Sequence, residues 1–336
     1  MGRFALAAAV VLGFAITAAL CNLFVPLRQV LERREQQKQQ AAPQPARPAV
    51  PEPAPLRAPL WGGLCMAVGT VAAVGVGWLA ACIGQPELLG SEGQLMARLL
   101  TALAGALGFG VVGLAEDLAR MRSPAALGLR RGTRLLLEAL AAAAVALMLR
   151  AVGCLPRGLG VPGVGYVLLG RAAPLLWAAL MVALAECARV AEQTEGSVCG
   201  AAFVAMLALI MVEAGLGAGA LAVLPAALAG ALVALLLWAF PPAKLGVGCC
   251  GSLFAAGAIG CIPLCLDLTS LTVPLALPFW AEGILLALQL LHAKRTGKPL
   301  RCWVQKHKLS PEGAFLCSFV LSACGYVLAL ALLRWC

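Results

Sequence analysis

Residues 95–138 read LMARLLTALAGALGFGVVGLAEDLARMRSPAALGLRRGTRLLLE. Leu95–Ala115 is apolar apart from Arg98 and has the roughly 20-residue length that a bilayer-crossing helix needs. It runs directly into Glu116-Asp117, then Arg120 and Arg122, then the basic run Arg130, Arg131 and Arg134, and a second apolar segment follows. Adjacent carboxylates at the edge of a membrane span are costly, and costly ionisable groups there mark function. The arginines behind them point to a polar site for a charged ligand at the lipid surface.

The rest of the chain fits this reading. Of its 336 residues, 62% are hydrophobic and 12% charged, against roughly 45–50% and about 25% in soluble domains. The composition predicts an all-α polytopic membrane protein, read as one domain over residues 1–336. Ten apolar stretches are predicted to span: 4–27, 58–84, 95–115, 135–153, 172–191, 197–214, 217–239, 252–267, 271–292 and 314–335. The first is longer than the 7–15 residue core of a signal peptide and is read as a span.

The net charge of +10 would suggest nucleic acid in a soluble protein. Here most Lys and Arg fall in alternate loops, around 28–57, 120–134, 189, 244 and 294–308. Basic loops face the cytoplasm, so these loops are expected inside and both termini outside, and nucleic acid is excluded as a partner. Within the first loop, 28–40 is expected to extend the first helix. Residues 43–55 alternate Pro with Ala, Gln and Glu, a semi-rigid spacer composition. The 14 cysteines form no CxxC pair and read as small buried hydrophobes. Glu138, Glu186, Glu213 and Glu282 fall within or beside spans and are read as packing or interfacial groups.

Five cytoplasmic loops carry charged or Gly-rich sequence. They are Arg57–Gly63, the Glu116–Arg134 stretch, Arg189–Gly196 with Glu192 and Glu195, Pro241–Ser252 with Lys244 and Cys249, and Lys294–Lys308 with His307. Carboxylates and cations gathered on one face suit a diphosphate. Carboxylates are hard donors for Mg²⁺, Lys and Arg neutralise phosphate, and Gly-rich backbone lets N–H groups approach it.

These loops, in order, resemble the polyprenyl-phosphate phospho-sugar transferases, and among them the phospho-N-acetylmuramoyl-pentapeptide transferases of peptidoglycan synthesis. Arg57–Gly63 is similar to the family's GTPTMGG, Gly113–Arg120 to GFxDDxxK, and Gly128–Glu138 to GLSxxxKLLLQ. Arg189–Gly196 is similar to NAxNLTDG, and Phe240–Ser252, FPPAKLGVGCCGS, to FPPAKxFMGDTGS. Glu282–Gln289 and Lys294–Lys298 are similar to EAxSVxLQ and KxTGGK, which precede the family's HHH.

The resemblance implies a multi-pass protein of the bacterial cell membrane with cytoplasmic active-site loops. It implies transfer of phospho-N-acetylmuramoyl-pentapeptide, or a related phospho-sugar, from a UDP-sugar to undecaprenyl phosphate, with release of UMP. It implies Mg²⁺ as cofactor, and a lipid phosphate and a UDP-sugar as partners; the sequence leaves a homodimer open. Carried over residue by residue, Glu116 and Asp117 stand at the catalytic acidic pair. Arg120, Arg134, Glu192, Lys244 and His307 stand at substrate-binding positions, and Asp117 and Glu195 at metal-binding ones.

Several positions depart from the family's pattern. Cys249 replaces its metal-binding Asp, and a thiol is a soft ligand that suits Mg²⁺ poorly. The uracil-stacking Phe falls on Gly246, the next loop-three Asp on Val198, the two Asn on Arg189 and Glu192, and HHH is reduced to Lys306-His307-Lys308. A degenerate paralogue that binds polyprenyl phosphate or regulates a partner is the alternative.

Overall fold

In hydrocarbon a backbone must satisfy its own polar groups, and in the computed structural model the apolar stretches are helices. The structure describes residues 2–41, 61–84, 93–122, 128–161, 165–216, 221–296 and 310–333. Among the described residues eleven α-helices follow in chain order: α1 Gly2–Ala41, α2 Gly62–Gly84, α3 Gly93–Arg122, α4 Arg131–Val152, α5 Ala173–Ala191 and α6 Ser197–Gly215. Then come α7 Val223–Ala239, α8 Gly248–Cys265, α9 Thr272–Leu275, α10 Leu277–Thr296 and α11 Pro311–Leu333. As expected, the first helix runs on to Ala41. The Pro-rich part of the first loop and His307 lie outside the described residues.

Among the described residues, eight helices are long and apolar enough to cross a membrane alone. The other two predicted spans take different forms. The 217–239 stretch gives the 17-residue α7. The 271–292 stretch is broken: residues 269–275 and 277–292 meet at 68°. Proline explains the break. Pro278 has no N–H to offer the carbonyl of Pro274 four residues earlier, and its ring crowds that carbonyl.

The centre of the bundle is α8, all 18 residues of which are buried. Its small residues, Gly, Ala, Ser and Cys, let α2, α3 and α5 close around it, the usual basis of helix packing in membranes. The outer helices turn apolar side chains outward. Leu136, Leu140 and Leu147 on α4 and Leu175 on α5 are all exposed, as a hydrocarbon solvent permits.

One element has no counterpart in the sequence reading. Gly158–Val161 (β1) pairs antiparallel with Gly165–Leu168 (β2), with Gly158 opposite Leu168. A lone hairpin is marginal by itself, and this one is tied to the bundle. The Trp177 indole donates to the Pro156 carbonyl at 3.0 Å, and the Tyr166 hydroxyl to Asp267 at 3.4 Å. It lies past the C-terminal end of α4, at the opposite end of the bundle from Glu116-Asp117.

Candidate functional site

The two acids are not at an open helix end. Helix α3 continues to Arg122, which leaves Glu116 and Asp117 one turn inside it, 3% and 2% exposed. Gly113, one turn earlier, lets α3 close on the start of α8: a Cβ there would lie 2.2 Å from the Cys249 carbonyl oxygen. Asp117 thereby reaches the first turn of α8. Its Oδ1 accepts from the Cys249 N–H at 3.0 Å and its Oδ2 from the Cys250 N–H at 2.8 Å. Those N–H groups have no partner inside α8, and a carboxylate also complements the positive end of the helix dipole. Asp117 therefore caps α8 from a different helix.

Glu116 begins a chain of charge contacts. Its Oε1 accepts from Arg120 at 2.9 Å and from Arg134 at 3.5 Å. Arg134 grips Glu186 with two nitrogens, at 2.8 and 3.3 Å, the paired geometry that makes arginine–carboxylate contacts strong. Arg189 reaches the same Glu186 at 2.8 Å. In the other direction, Arg120 lies 3.6 Å from Glu192. The buried Cys249 thiol donates to that carboxylate at 3.5 Å. Glu138, fully buried, stands 3.9 Å from Arg134. The chain Arg189–Glu186–Arg134–Glu116–Arg120–Glu192–Cys249 thus links α5, α4, α3, the turn after α5, and α8.

Loop geometry supports this arrangement. Gly128 has a positive φ of 65°, and a Cβ there would lie 3.1 Å from Cγ of Arg120 and 3.3 Å from Oε1 of Glu116. It is glycine both for its backbone and because it covers this ion pair. Glu195 accepts from the Ala243 N–H at 3.1 Å. That bond ties the turn after α5 to the Pro241–Lys244 segment, whose Lys244 N–H donates to the Trp238 carbonyl at 2.8 Å. The first loop joins as well, through Gly62 N–H donating to the Gly246 carbonyl at 3.2 Å.

The sequence-selected residues Glu116, Asp117, Arg120, Arg134 and Glu192 are therefore brought together, with Glu195 and Lys244 in the adjoining loops. The sequence places Glu186 and Glu138 as packing or interfacial groups; the structure makes both of them partners of Arg134. The clue lay in helical spacing: Glu186 stands three residues before Arg189, and Glu138 four after Arg134, the separations at which side chains on one helix meet.

The donors present do not fit the Mg²⁺ that the resemblance implies. Among the described residues, no three His, Cys, Asp or Glu side chains gather as a metal site. Asp117 holds two amides, Glu195 holds a third, and one oxygen of Glu116 is shared by two guanidiniums. The other oxygen of Glu116 is buried without a hydrogen-bond partner. One such oxygen is far from the near-octahedral shell Mg²⁺ demands.

Comparison with known proteins adds to this geometry. The profile of glycosyl transferase family 4 matches residues 99–267, a span that holds Glu116, Asp117, Arg120, Arg134, Glu192, Lys244 and Cys249. The phospho-N-acetylmuramoyl-pentapeptide-transferase of Desulforudis audaxviator is 33% identical over 211 residues, 60% of this chain and 60% of that protein. The protein of the same name from Geobacillus kaustophilus is 25% identical over 295 residues, 88% of this chain and 85% of the relative.

Proposed function

The chain belongs to glycosyl transferase family 4, and from that premise we propose that it is a phospho-sugar transferase of the bacterial cell membrane working at the end of the bundle that holds Glu116 and Asp117. The proposed donor is a UDP-linked amino sugar, with UDP-N-acetylmuramoyl-pentapeptide the first candidate. The acceptor is a polyprenyl phosphate such as undecaprenyl phosphate, and the site faces the cytoplasm. An oxygen of the lipid phosphate attacks the β-phosphorus of the donor. A new P–O bond forms, the bond from the β-phosphorus to the bridging oxygen breaks, and UMP leaves with that electron pair.

The observation that carries the reading is the ordered row of Arg189, Arg134 and Arg120, held in place by Glu186, Glu116 and Glu192. Diphosphate transfer needs positive charge fixed where negative charge develops, which lowers the cost of rearrangement during the reaction. Arg120 and Arg189 keep about a fifth of their side-chain surface exposed, so they face an incoming phosphate, while Arg134 is held deeper. Asp117 and Glu116 act by placement: the first holds the start of α8, the second aims two guanidiniums. Lys244 is proposed to meet the donor from the loop before α8, and His307, outside the described residues, is proposed as a donor-binding residue on the resemblance alone.

One observation favours a second reading, a binder of polyprenyl phosphate without turnover: the Cys249 thiol stands in the family's metal-ligand position. A single assay separates the two. Purified protein with undecaprenyl phosphate is given UDP-N-acetylmuramoyl-pentapeptide or UDP-N-acetylglucosamine. UMP release from either supports the transferase. No UMP from both, with lipid phosphate still bound, overturns it in favour of the binder.

A further inference from the structure

We infer that this site is built to hold no divalent cation, and that the Arg120 guanidinium, seated between Glu116 and Glu192, is the fixed positive charge that meets phosphate in its place. The inference deepens the transferase reading and rests on it for the identity of the phosphate.

A divalent ion here would need hard oxygens pointing inward. Asp117 spends both oxygens on the Cys249 and Cys250 amides, at 3.0 and 2.8 Å. That places any approaching cation beside the positive end of α8. The next donor along is a sulfur. Cys249 is fully buried, and its thiol donates toward Glu192 at 3.5 Å, so the proton lies in the direction a metal would have to occupy. Glu195 holds the Ala243 N–H at 3.1 Å. Glu192 and Glu116 share Arg120 at 3.6 and 2.9 Å, with Arg134 also 3.5 Å from Glu116, so that of their buried oxygens only the second of Glu116 is left without a partner.

The guanidinium therefore stands where these carboxylates converge, and it repels a second cation. It is also shaped for phosphate: planar, always charged, and able to present paired N–H donors. The glycine at position 128 fits the same picture. Its missing side chain leaves room for the stem and Nε of Arg120 against Glu116, contacts that a Cβ would bring to 3.1–3.3 Å.

The test reads metal binding directly and needs no turnover. Full-length protein in detergent is titrated with Mn²⁺, and the free-ion electron paramagnetic resonance signal is followed. The wild type should leave the signal unchanged across a range that saturates the double variant Cys249→Asp, Arg120→Gln, which gains a hard oxygen ligand, loses the competing guanidinium and should take up one equivalent. Cys249→Asn matches Asp in size without its charge. It should fold and bind none, which separates tolerance of bulk from gain of a ligand.

Uptake of one equivalent by the wild type, lost in Asp117→Asn, would overturn the inference. If that double variant folds and binds nothing, neither the thiol nor the guanidinium is what excludes the ion and the inference fails too. For Arg120, UMP binding is measured in EDTA and in Mg²⁺. Equal affinity in the two, and at least tenfold weaker binding by Arg120→Gln, is expected; affinity that rises with Mg²⁺ in the wild type would contradict it. Absence of UMP release would sink the transferase reading and leave the Mn²⁺ result standing by itself.

Discussion

Gly128 is a left-handed turn residue that roofs the Arg120–Glu116 pair. Gly128→Ala should therefore cost about 1–2 kcal/mol from the backbone alone, and more if Arg120 is displaced. The thermal unfolding midpoint in detergent should fall, whereas an unchanged midpoint would mean the loop readily adopts another path. The acidic pair was legible for its chemistry and misjudged for its setting. Its charge, its neighbours and its cost were all visible, but its placement one turn inside α3, with Asp117 capping α8, depends on a contact 132 residues apart in sequence. No local pattern encodes such a contact.

At the scale of elements, apolar length was enough to locate nearly every helix, because hydrocarbon leaves a backbone few alternatives. Length said less about shape. The 271–292 stretch is long and apolar enough to span, and only the pair Pro274 and Pro278 marks the bend that splits it into α9 and α10. The β1–β2 hairpin was missed for the opposite reason: four-residue strands rich in glycine carry almost no periodicity. Between elements, the clearest bond is the two-pronged grip of Arg134 in α4 on Glu186 in α5. A double-mutant cycle on Arg134→Met and Glu186→Gln should return a coupling of about 1–3 kcal/mol, as for directly contacting charged residues. A coupling near zero would mean that solvent screens the pair and that α4 and α5 are held by apolar packing alone.

Taken whole, the molecule is a multi-pass membrane protein of glycosyl transferase family 4 with a network of ion pairs around Glu116 and Arg134 at one end of an apolar bundle. The order of the five loops was readable in the sequence and carried the family. The sequence could not say that the second and third loops are joined by ion pairs and tied to the first and fourth by hydrogen bonds, because that depends on how α3, α4, α5 and α8 pack. The central claim is that a phosphoryl group moves together with the sugar. A donor UDP-sugar labelled with ³²P at its β-phosphate, incubated with purified protein and undecaprenyl phosphate, tests it most directly. The account predicts that the label passes into the lipid extract while unlabelled UMP accumulates in equal amount. Label that stays in the aqueous phase, as UDP or as unreacted donor, would contradict it.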